Sequence, residues 1–359
     1  MSKTVQWTTD NKVTWYTSED DINDKIASVL GEKFVEYRKA WDAVSNFETI
    51  TEFPLYIQVE LNQICNLKCP MCPLTIPESR EKYITDKHIS WEMYEKIILE
   101  AEKYNCPSLN PQGVNEPLLD QNLEDYIKFA KKHGFIDIMM NTNATLLSEE
   151  RSKKLVDSGL TRLRFSLDAF NKETYEKIRI GANYEKVMRN IDRFIEIRNK
   201  NGNKLPFVGV NLVQMKTNED EVHDFIEYWR EKVDFVVIQN FLPPELEGDY
   251  SDFFSTTSKF RENISSSFNC QQPWQRMFVH NNGVVSPCCA LHSVELSLGN
   301  FNEHSLHELW LSESMNNLRK IHKEGNYAEN EWCKKCVNGM RGGEGANEFL
   351  QIKKCRRFE

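Results

Sequence analysis

From residue 54 onward the apolar positions change their period in a repeating way. Short, nearly continuous apolar runs at Leu55–Leu61, Ser108–Val114, Ile136–Met140, Leu163–Leu167, Phe207–Val213 and Phe235–Ile238 predict strands. Between them, apolar residues recur every three to four positions and predict helices. One helix opens at Ser90 and carries Met93, Ile97, Ile98 and Ala101. The next carries Leu123, Tyr126, Ile127 and Ala130 and stops at Gly134, which suits a left-handed cap. Leu155 marks a third that ends near Gly159; Tyr184, Val187, Ile191 and Ile195 mark a fourth that ends near Gly202. A fifth, with Val222, Phe225, Ile226 and Trp229, opens with Asn218 and Glu221 at capping-box spacing. Strand–helix repetition requires a parallel sheet, because parallel strands are joined by crossovers. Six units fall short of the eight that close a full barrel. The expected fold class is α/β: an open, partial (β/α)6 TIM-like barrel over residues 51–241 with a small C-terminal domain.

The flanks have other patterns. Residues 1–50 begin polar, then show Ile26, Val29, Leu30, Phe34, Val35, Tyr37 and Trp41 at mixed three- and four-residue spacing. That predicts an N-terminal helical extension packed on the barrel. Residues 242–269, with Pro243-Pro244, acidic residues and several serines, read as a linker. Residues 270–359 alternate little but carry six of the ten cysteines. Net charge is −9 with no concentrated Lys/Arg tract, which argues against a nucleic-acid partner. No run approaches the roughly 18 apolar residues of a membrane span, and the first residues lack the apolar core of a signal peptide. A cytoplasmic, reducing location without a membrane partner is expected. Ten cysteines there argue for metal or redox chemistry rather than disulfides.

Cys65-Asn66-Leu67-Lys68-Cys69-Pro70-Met71-Cys72 sets three thiols at C-x3-C-x2-C spacing directly after the first strand. Three thiolates on one loop can hold three irons of a cubane cluster and leave the fourth open to a small molecule. Zinc and ordinary ferredoxin sites want four protein ligands, and a partial zinc site is the alternative. The motif, at this place in a β/α series, resembles that of the radical S-adenosylmethionine (radical SAM) enzymes. The resemblance implies a [4Fe–4S] cluster on Cys65, Cys69 and Cys72, with S-adenosylmethionine chelated at the open iron. Reductive cleavage of that cofactor gives a 5′-deoxyadenosyl radical that abstracts a hydrogen atom from a small-molecule or peptide substrate. It also implies a one-electron reductant such as flavodoxin or ferredoxin. So reactive a species needs a cavity poor in water.

Later motifs fit the same resemblance. Gly113-Val114-Asn115-Glu116-Pro117 resembles the family's Gly-Glu-Pro segment, although Val114-Asn115 departs from its paired glycines. Asn141-Thr142-Asn143-Ala144 is similar to a Thr-Asn-Gly turn with Ala144 in the glycine position, and Arg164-Phe165-Ser166-Leu167-Asp168 to a Ser-Leu-Asp strand end. The resemblance implies cofactor contacts from Gly113, Asn115, Glu116, Asn141, Asn143, Ser166, Asp168 and Arg179. An exposed helix arginine is the other reading of Arg179. Met71 stands where an aromatic residue is common.

Cys270, Cys288, Cys333 and Cys336 make a second set, with Gly283 five positions before Cys288. They resemble the twitch or SPASM extension of radical SAM enzymes, which implies one auxiliary [4Fe–4S] cluster and two [4Fe–4S] clusters in all. Structural zinc is the alternative. The spacing is similar to that of 2-deoxy-scyllo-inosamine dehydrogenase. The resulting expectation is an oxidoreductase that dehydrogenates a secondary alcohol of a sugar-like or aminocyclitol compound, with the auxiliary cluster as electron acceptor. A radical SAM peptide maturase and a non-catalytic iron–sulfur or zinc module are the competing expectations. Cys106 reads as a small buried hydrophobe, Cys289 as a neighbour of a ligand, and Cys355 as a free thiol. No catalytic base stands out.

Overall fold

The structure, a computed structural model, describes residues 5–7, 13–16, 21–85, 87–200, 202, 204–244, 249–258 and 268–341. Cys355 and the rest of the C-terminal tail lie outside them. A hairpin of β1 (Val5–Trp7) and β2 (Val13–Tyr16) precedes α1 (Ile22–Leu30) and α2 (Glu32–Ser45). β3 (Tyr56–Val59), β4 (Ser108–Asn110), β5 (Asp137–Thr142), β6 (Arg162–Ser166), β7 (Phe207–Gln214) and β8 (Phe235–Asn240) then lie side by side, parallel and in sequence order. All six expected strands are present, as an open, partial barrel.

The crossovers run through α3 (Pro77–Tyr83), α4 (Trp91–Lys103), α5 (Leu123–Lys132), α6 (Glu149–Val156), α7 (Lys172–Ile178), α8 (Tyr184–Lys200) and α9 (Val222–Trp229). Ser90 caps α4 by accepting from Met93 N, and Gly134, Gly159 and Gly202 follow their helices at positive φ. The expected capping box at Asn218 and Glu221 does not form. Asn218 instead donates to Asp168 O and Val213 O, while Glu221 accepts from Phe170 N and Asn171 N. Neighbouring loops thus outcompete the helix start, which is a 3-10 turn over Glu219–Glu221.

Strand register separates two faces. Ile57, Leu109, Ile138, Leu163, Val208 and Val236 share one face, are fully buried and pack with the helices in the main core. The other face is apolar at the strand starts, where Tyr56, Phe207 and Phe235 cluster with Phe34, Trp41 and Val44 of α2. The N-terminal helices therefore plug the lower end of the barrel. Farther along, that inner face turns polar at Gln58, Asn141, Arg164, Ser166, Asn211 and Gln239.

Both edges of the barrel are extended. β2 pairs antiparallel with β8, an addition that the periodicity of residues 1–50 did not reveal. After α10 (Gln272–Gln275), β9 (Arg276–Val279) joins β3 in parallel, followed antiparallel by β10 (Val284–Ser286) and β11 (Gly299–Asn300). α11 (Leu306–Trp310), α12 (Glu313–Lys323) and α13 (Glu331–Arg341) complete the C-terminal part. Residues 249–258, read from sequence as linker, are fastened to the barrel: Phe254 bridges to Met215, and Glu219 accepts from Ser255 Oγ and Thr256 N. Among the described residues no helix is long and apolar enough to cross a membrane.

Candidate active site

β3 leads through Glu60 to Gln63 into the cysteine loop. Cys69 is buried, and Cys65 and Cys72 are half-buried. Burial pushes all three thiols up, Cys72 to about 11, and repulsion from neighbouring cysteines adds to this at Cys65 and Cys72. Thiols crowded in this way become thiolates when cations sit among them, which suits iron ligands. Lys68 N donates to Ile180 O, Cys72 N to Cys69 O, and Asn66 Nδ2 to Thr145 Oγ1 at 2.8 Å. These bonds tie the loop to the ends of β5 and α7.

The five expected contacts from the β4 and β5 ends form one network. Glu116, 2% exposed, accepts from Thr142 Oγ1 at 2.5 Å, Asn143 N at 2.7 Å and Leu118 N at 3.1 Å. Burial pushes its pKa up, and those donors offset part of the effect. Its carboxylate is thus engaged within the chain and holds Asn143 in place. Asn143 Nδ2 in turn donates to Asn66 Oδ1 at 3.0 Å and points to Cys65 Sγ at 3.9 Å. Asn141 N and Nδ2 both donate to Gln112 Oε1. Asn115 Oδ1 accepts from Gly113 N. Gly113 has its own steric reason: a Cβ there would lie 2.2 Å from Glu60 Oε1. Ala144 sits at φ 58°, a left-handed position that explains why glycine is common in such a turn.

Ser166, Asp168 and Arg179 approach from the other side. Asp168 is fully buried, with Oδ2 2.6 Å from Arg179 Nη2, and Arg179 Nη1 donates to Cys69 Sγ at 3.8 Å. Burial opposes the arginine's charge, but Asp168 and Cys69 hold its pKa above the ordinary value. Arg179 is therefore no exposed helix residue. Ser166 Oγ lies 3.5 Å from Asn211 Oδ1 on the inner face. Met71 packs with Ile178, Met215, Phe241 and Phe254.

Sequence reasoning missed Glu60 and His280. Glu60 Oε1 accepts from Val114 N, whereas its buried Oε2 has no hydrogen-bond partner and faces His280 Nδ1 at 3.6 Å. The other ring nitrogen, Nε2, lies 2.9 Å from Ser286 Oγ. A carboxylate at the end of a strand that is apolar apart from Gln58 was the available signal for Glu60. His280 became visible only once β9 was paired with β3.

The four C-terminal cysteines meet. Cys270, Cys288, Cys333 and Cys336 all line one cavity of about 60 Å³, with Pro273, Leu318 and His322. Burial pushes Cys288 and Cys333 well up, and neighbouring cysteines add to this. Cys289 is exposed and does not line the cavity, while Cys106 lies in the barrel core with its thiol pushed up to about 12 by burial. Gly283 turns the β9–β10 hairpin at φ 87°, where a Cβ would strike Asn300 and Asn302. Among the described residues no three His, Cys, Asp or Glu donors converge as a single-ion site. A cubane spreads its ligands over four irons and needs a wider set.

Residues 59–228 match the Radical SAM superfamily, and residues 270–337 match SPASM, an iron–sulfur cluster-binding domain. The chain is 31% identical over 219 residues to a probable GTP 3′,8-cyclase of Methanococcus maripaludis, covering 60% of this chain and 67% of that one. The chain belongs to the radical SAM superfamily. Radical SAM and SPASM domains imply S-adenosylmethionine and [4Fe–4S] clusters as its cofactors. It is also 28% identical over 310 residues to the tungsten-containing aldehyde ferredoxin oxidoreductase cofactor-modifying protein of Pyrococcus furiosus, covering 75% of this chain and 84% of the relative. The fold is similar to BtrN in complex with AdoMet and 2-DOIA, at TM-score 0.52, 19% identity, and 80% and 94% coverage of the two chains. It is likewise similar to Streptococcus suis SuiB bound to precursor peptide SuiA, at TM-score 0.59, 17% identity, and 88% and 76% coverage.

Proposed function

We propose that this radical SAM protein dehydrogenates a secondary alcohol of a sugar-like or aminocyclitol compound, with Cys65, Cys69 and Cys72 holding the cofactor's cluster and Cys270, Cys288, Cys333 and Cys336 an auxiliary one. The observation that carries this reading is the combination of an incomplete, three-thiol loop after β3 with a complete, four-thiol cavity in the C-terminal part. When bound, these groups supply a radical that removes the carbinol hydrogen atom and an acceptor for the electron left behind. The chain's residues hold and orient. Glu116 acts through Asn143, and Asp168 acts through Arg179, whose guanidinium suits the cofactor's carboxylate. Asn141 with Gly113 and Asn115 shapes the β4–β5 edge, and Ser166 offers a hydroxyl from the inner face. Glu60 Oε2, unpartnered and supported by His280, is the group suited to take the hydroxyl proton.

Polar amides along the upper inner face, Gln58, Gln112, Asn141, Asn211 and Gln239, suit a hydroxyl-rich ligand better than an apolar one. Peptide modification is the second reading, supported by the fold likeness to SuiB with its precursor peptide. Anaerobic turnover of 2-deoxy-scyllo-inosamine deuterated at its carbinol carbon separates the two. Deuterium in 5′-deoxyadenosine together with a ketone product supports dehydrogenation; 5′-deoxyadenosine without deuterium or ketone refutes it for this class of substrate.

A further inference from the structure

Behind the C-terminal cysteine cavity, on the outer surface, lies a cleft of about 470 Å³. Its walls include Glu48, Trp274, Asn316, Arg319, Lys320 and Lys323. One helix, α12, separates the two spaces. Leu318 and His322 line the cysteine cavity, whereas Asn316, Arg319, Lys320 and Lys323 line the cleft. Positions 316, 319, 320 and 323 follow the three- and four-residue spacing of a single helix stripe. α10 divides in the same way, with Pro273 in the cavity and Trp274 in the cleft. About one helix diameter, ~10 Å, therefore lies between them.

Three cations and one carboxylate, Glu48, line the cleft, which leaves it net positive in a chain of net charge −9. Some exposed lysines elsewhere pair with carboxylates, as Lys96 does with Glu92, Lys153 with Glu149 and Lys200 with Glu196, and others among the described residues stand alone. Among the described residues no carboxylate lies within ion-pair distance of Arg319, Lys320 or Lys323. Arg319 is the sharper anomaly. Buried arginines elsewhere have partners, Arg162 with Asp137, Arg179 with Asp168 and Arg198 with Asp234. Arg319, 3% exposed, donates to Pro273 O and Asn316 Oδ1 and stacks over Trp310, yet its Nη2 has no hydrogen-bond partner. Burial lowers its pKa to about 10, so it stays charged at neutral pH. A buried cation with an open N–H is an unmet demand for an oxyanion.

We propose that this cleft is the docking site of an acidic electron-carrier protein, whose surface carboxylates meet Arg319, Lys320 and Lys323, and which removes electrons from the auxiliary cluster. The proposal rests on the reading of Cys270, Cys288, Cys333 and Cys336 as ligands of an electron-accepting cluster. In each transfer the reduced cluster loses one electron, the carrier's oxidised flavin or iron–sulfur centre gains it, and no bond in this chain changes. An acidic carrier is repelled by the molecule as a whole, so local positive charge has to steer its approach.

The test uses reconstituted holoenzyme, reduced and freed of reductant, mixed with oxidised flavodoxin in a stopped-flow instrument. Appearance of one-electron-reduced flavin reports the transfer. Lys320→Glu/Lys323→Glu, at two exposed positions, should slow it about tenfold or more. The wild-type rate should fall as salt rises, and the variant's should not. Oxidation by a small neutral quinone should be unchanged. Equal flavodoxin rates and equal salt dependence in both proteins overturn the docking site. Equal slowing with flavodoxin and quinone also overturns it, since the lysines would then act on the cluster itself. Inorganic phosphate that binds wild-type protein but not the double variant at millimolar concentration, and leaves flavodoxin transfer intact, assigns the cleft to a small anion and overturns the proposal. Wild-type holoenzyme that lacks a cluster at the C-terminal cysteines sinks the underlying reading instead.

Discussion

Asp168→Asn tests how the cysteine loop is held. Asp168 is fully buried, its Oδ2 lies 2.6 Å from Arg179 Nη2, and its Oδ1 accepts from Val213 N at 2.8 Å. Asparagine keeps the volume, keeps an acceptor for Val213 and tolerates the φ of 64°. The substitution therefore removes little except the charge opposite a guanidinium whose side chain is 13% exposed. Stranding one member of a buried ion pair costs about 3–5 kcal/mol. At 2–4 °C per kcal/mol, that lowers the melting midpoint by on the order of 10 °C. Arg179→Met in the same chain removes the stranded charge and should recover most of the loss. The assay is anaerobic unfolding of the apoprotein for wild type, both single variants and the double variant, because bound clusters would couple unfolding to metal loss. A coupling energy of about 2 kcal/mol or more is expected from the cycle. A cost below about 0.5 kcal/mol for Asp168→Asn would mean that the pair does not hold Arg179.

Gly209→Ala would set a Cβ 2.1 Å from the Phe235 ring on the neighbouring strand, and overpacking of this kind costs about 1–3 kcal/mol. Unfolding should show that loss and its partial recovery in Gly209→Ala/Phe235→Leu; no recovery would place the strain elsewhere. Glu219 ties residues 255–257 to the barrel; burial would raise its pKa, but the donors from Thr256, Ser255 and Thr257 lower it from 4.5 to about 2. A lowered carboxylate stabilises above its unfolded pKa and loses that contribution as pH falls from about 4.5 to about 2. Amide-exchange protection at Thr256 and Thr257 in the apoprotein should therefore hold down to about pH 4.5 and decline below it, and Glu219→Gln should lower it at neutral pH; protection unaffected by either change contradicts the anchor. Cys333→Ala should spare uncoupled S-adenosylmethionine cleavage while reducing substrate turnover; a folded variant lacking that cluster and turning over at the wild-type rate leaves the C-terminal part as a lid.

The barrel was legible because its outer face is apolar without interruption and its helices end at glycines such as Gly134 and Gly159. Cys65, Cys69 and Cys72 were legible as local spacing. The C-terminal four were grouped on resemblance and cavity lining together, since nothing in the linear distance from Cys270 to Cys333 places them in one space. What escaped depends on tertiary contacts. Asn218 and Glu221 have capping-box spacing, yet the loop after β6 engages both side chains. Arg179 looks like an exposed helix residue until Asp168 is seen beneath it. Glu60 and His280 are 220 positions apart by their numbering and meet only because β9 adds to β3. The hairpin of residues 5–7 and 13–16 is too short to show a period.

Iron and sulfide analysis of anaerobically reconstituted protein tests the central claim, that this chain builds an incomplete cluster site for S-adenosylmethionine and a complete one in its C-terminal part. Wild-type protein should hold about eight irons and eight sulfides per chain, four of each per cubane. Cys65→Ala/Cys69→Ala/Cys72→Ala should retain about four of each and form no 5′-deoxyadenosine from S-adenosylmethionine under reduction. Wild-type protein holding stoichiometric zinc and no sulfide, or a triple variant that still yields 5′-deoxyadenosine, would contradict it.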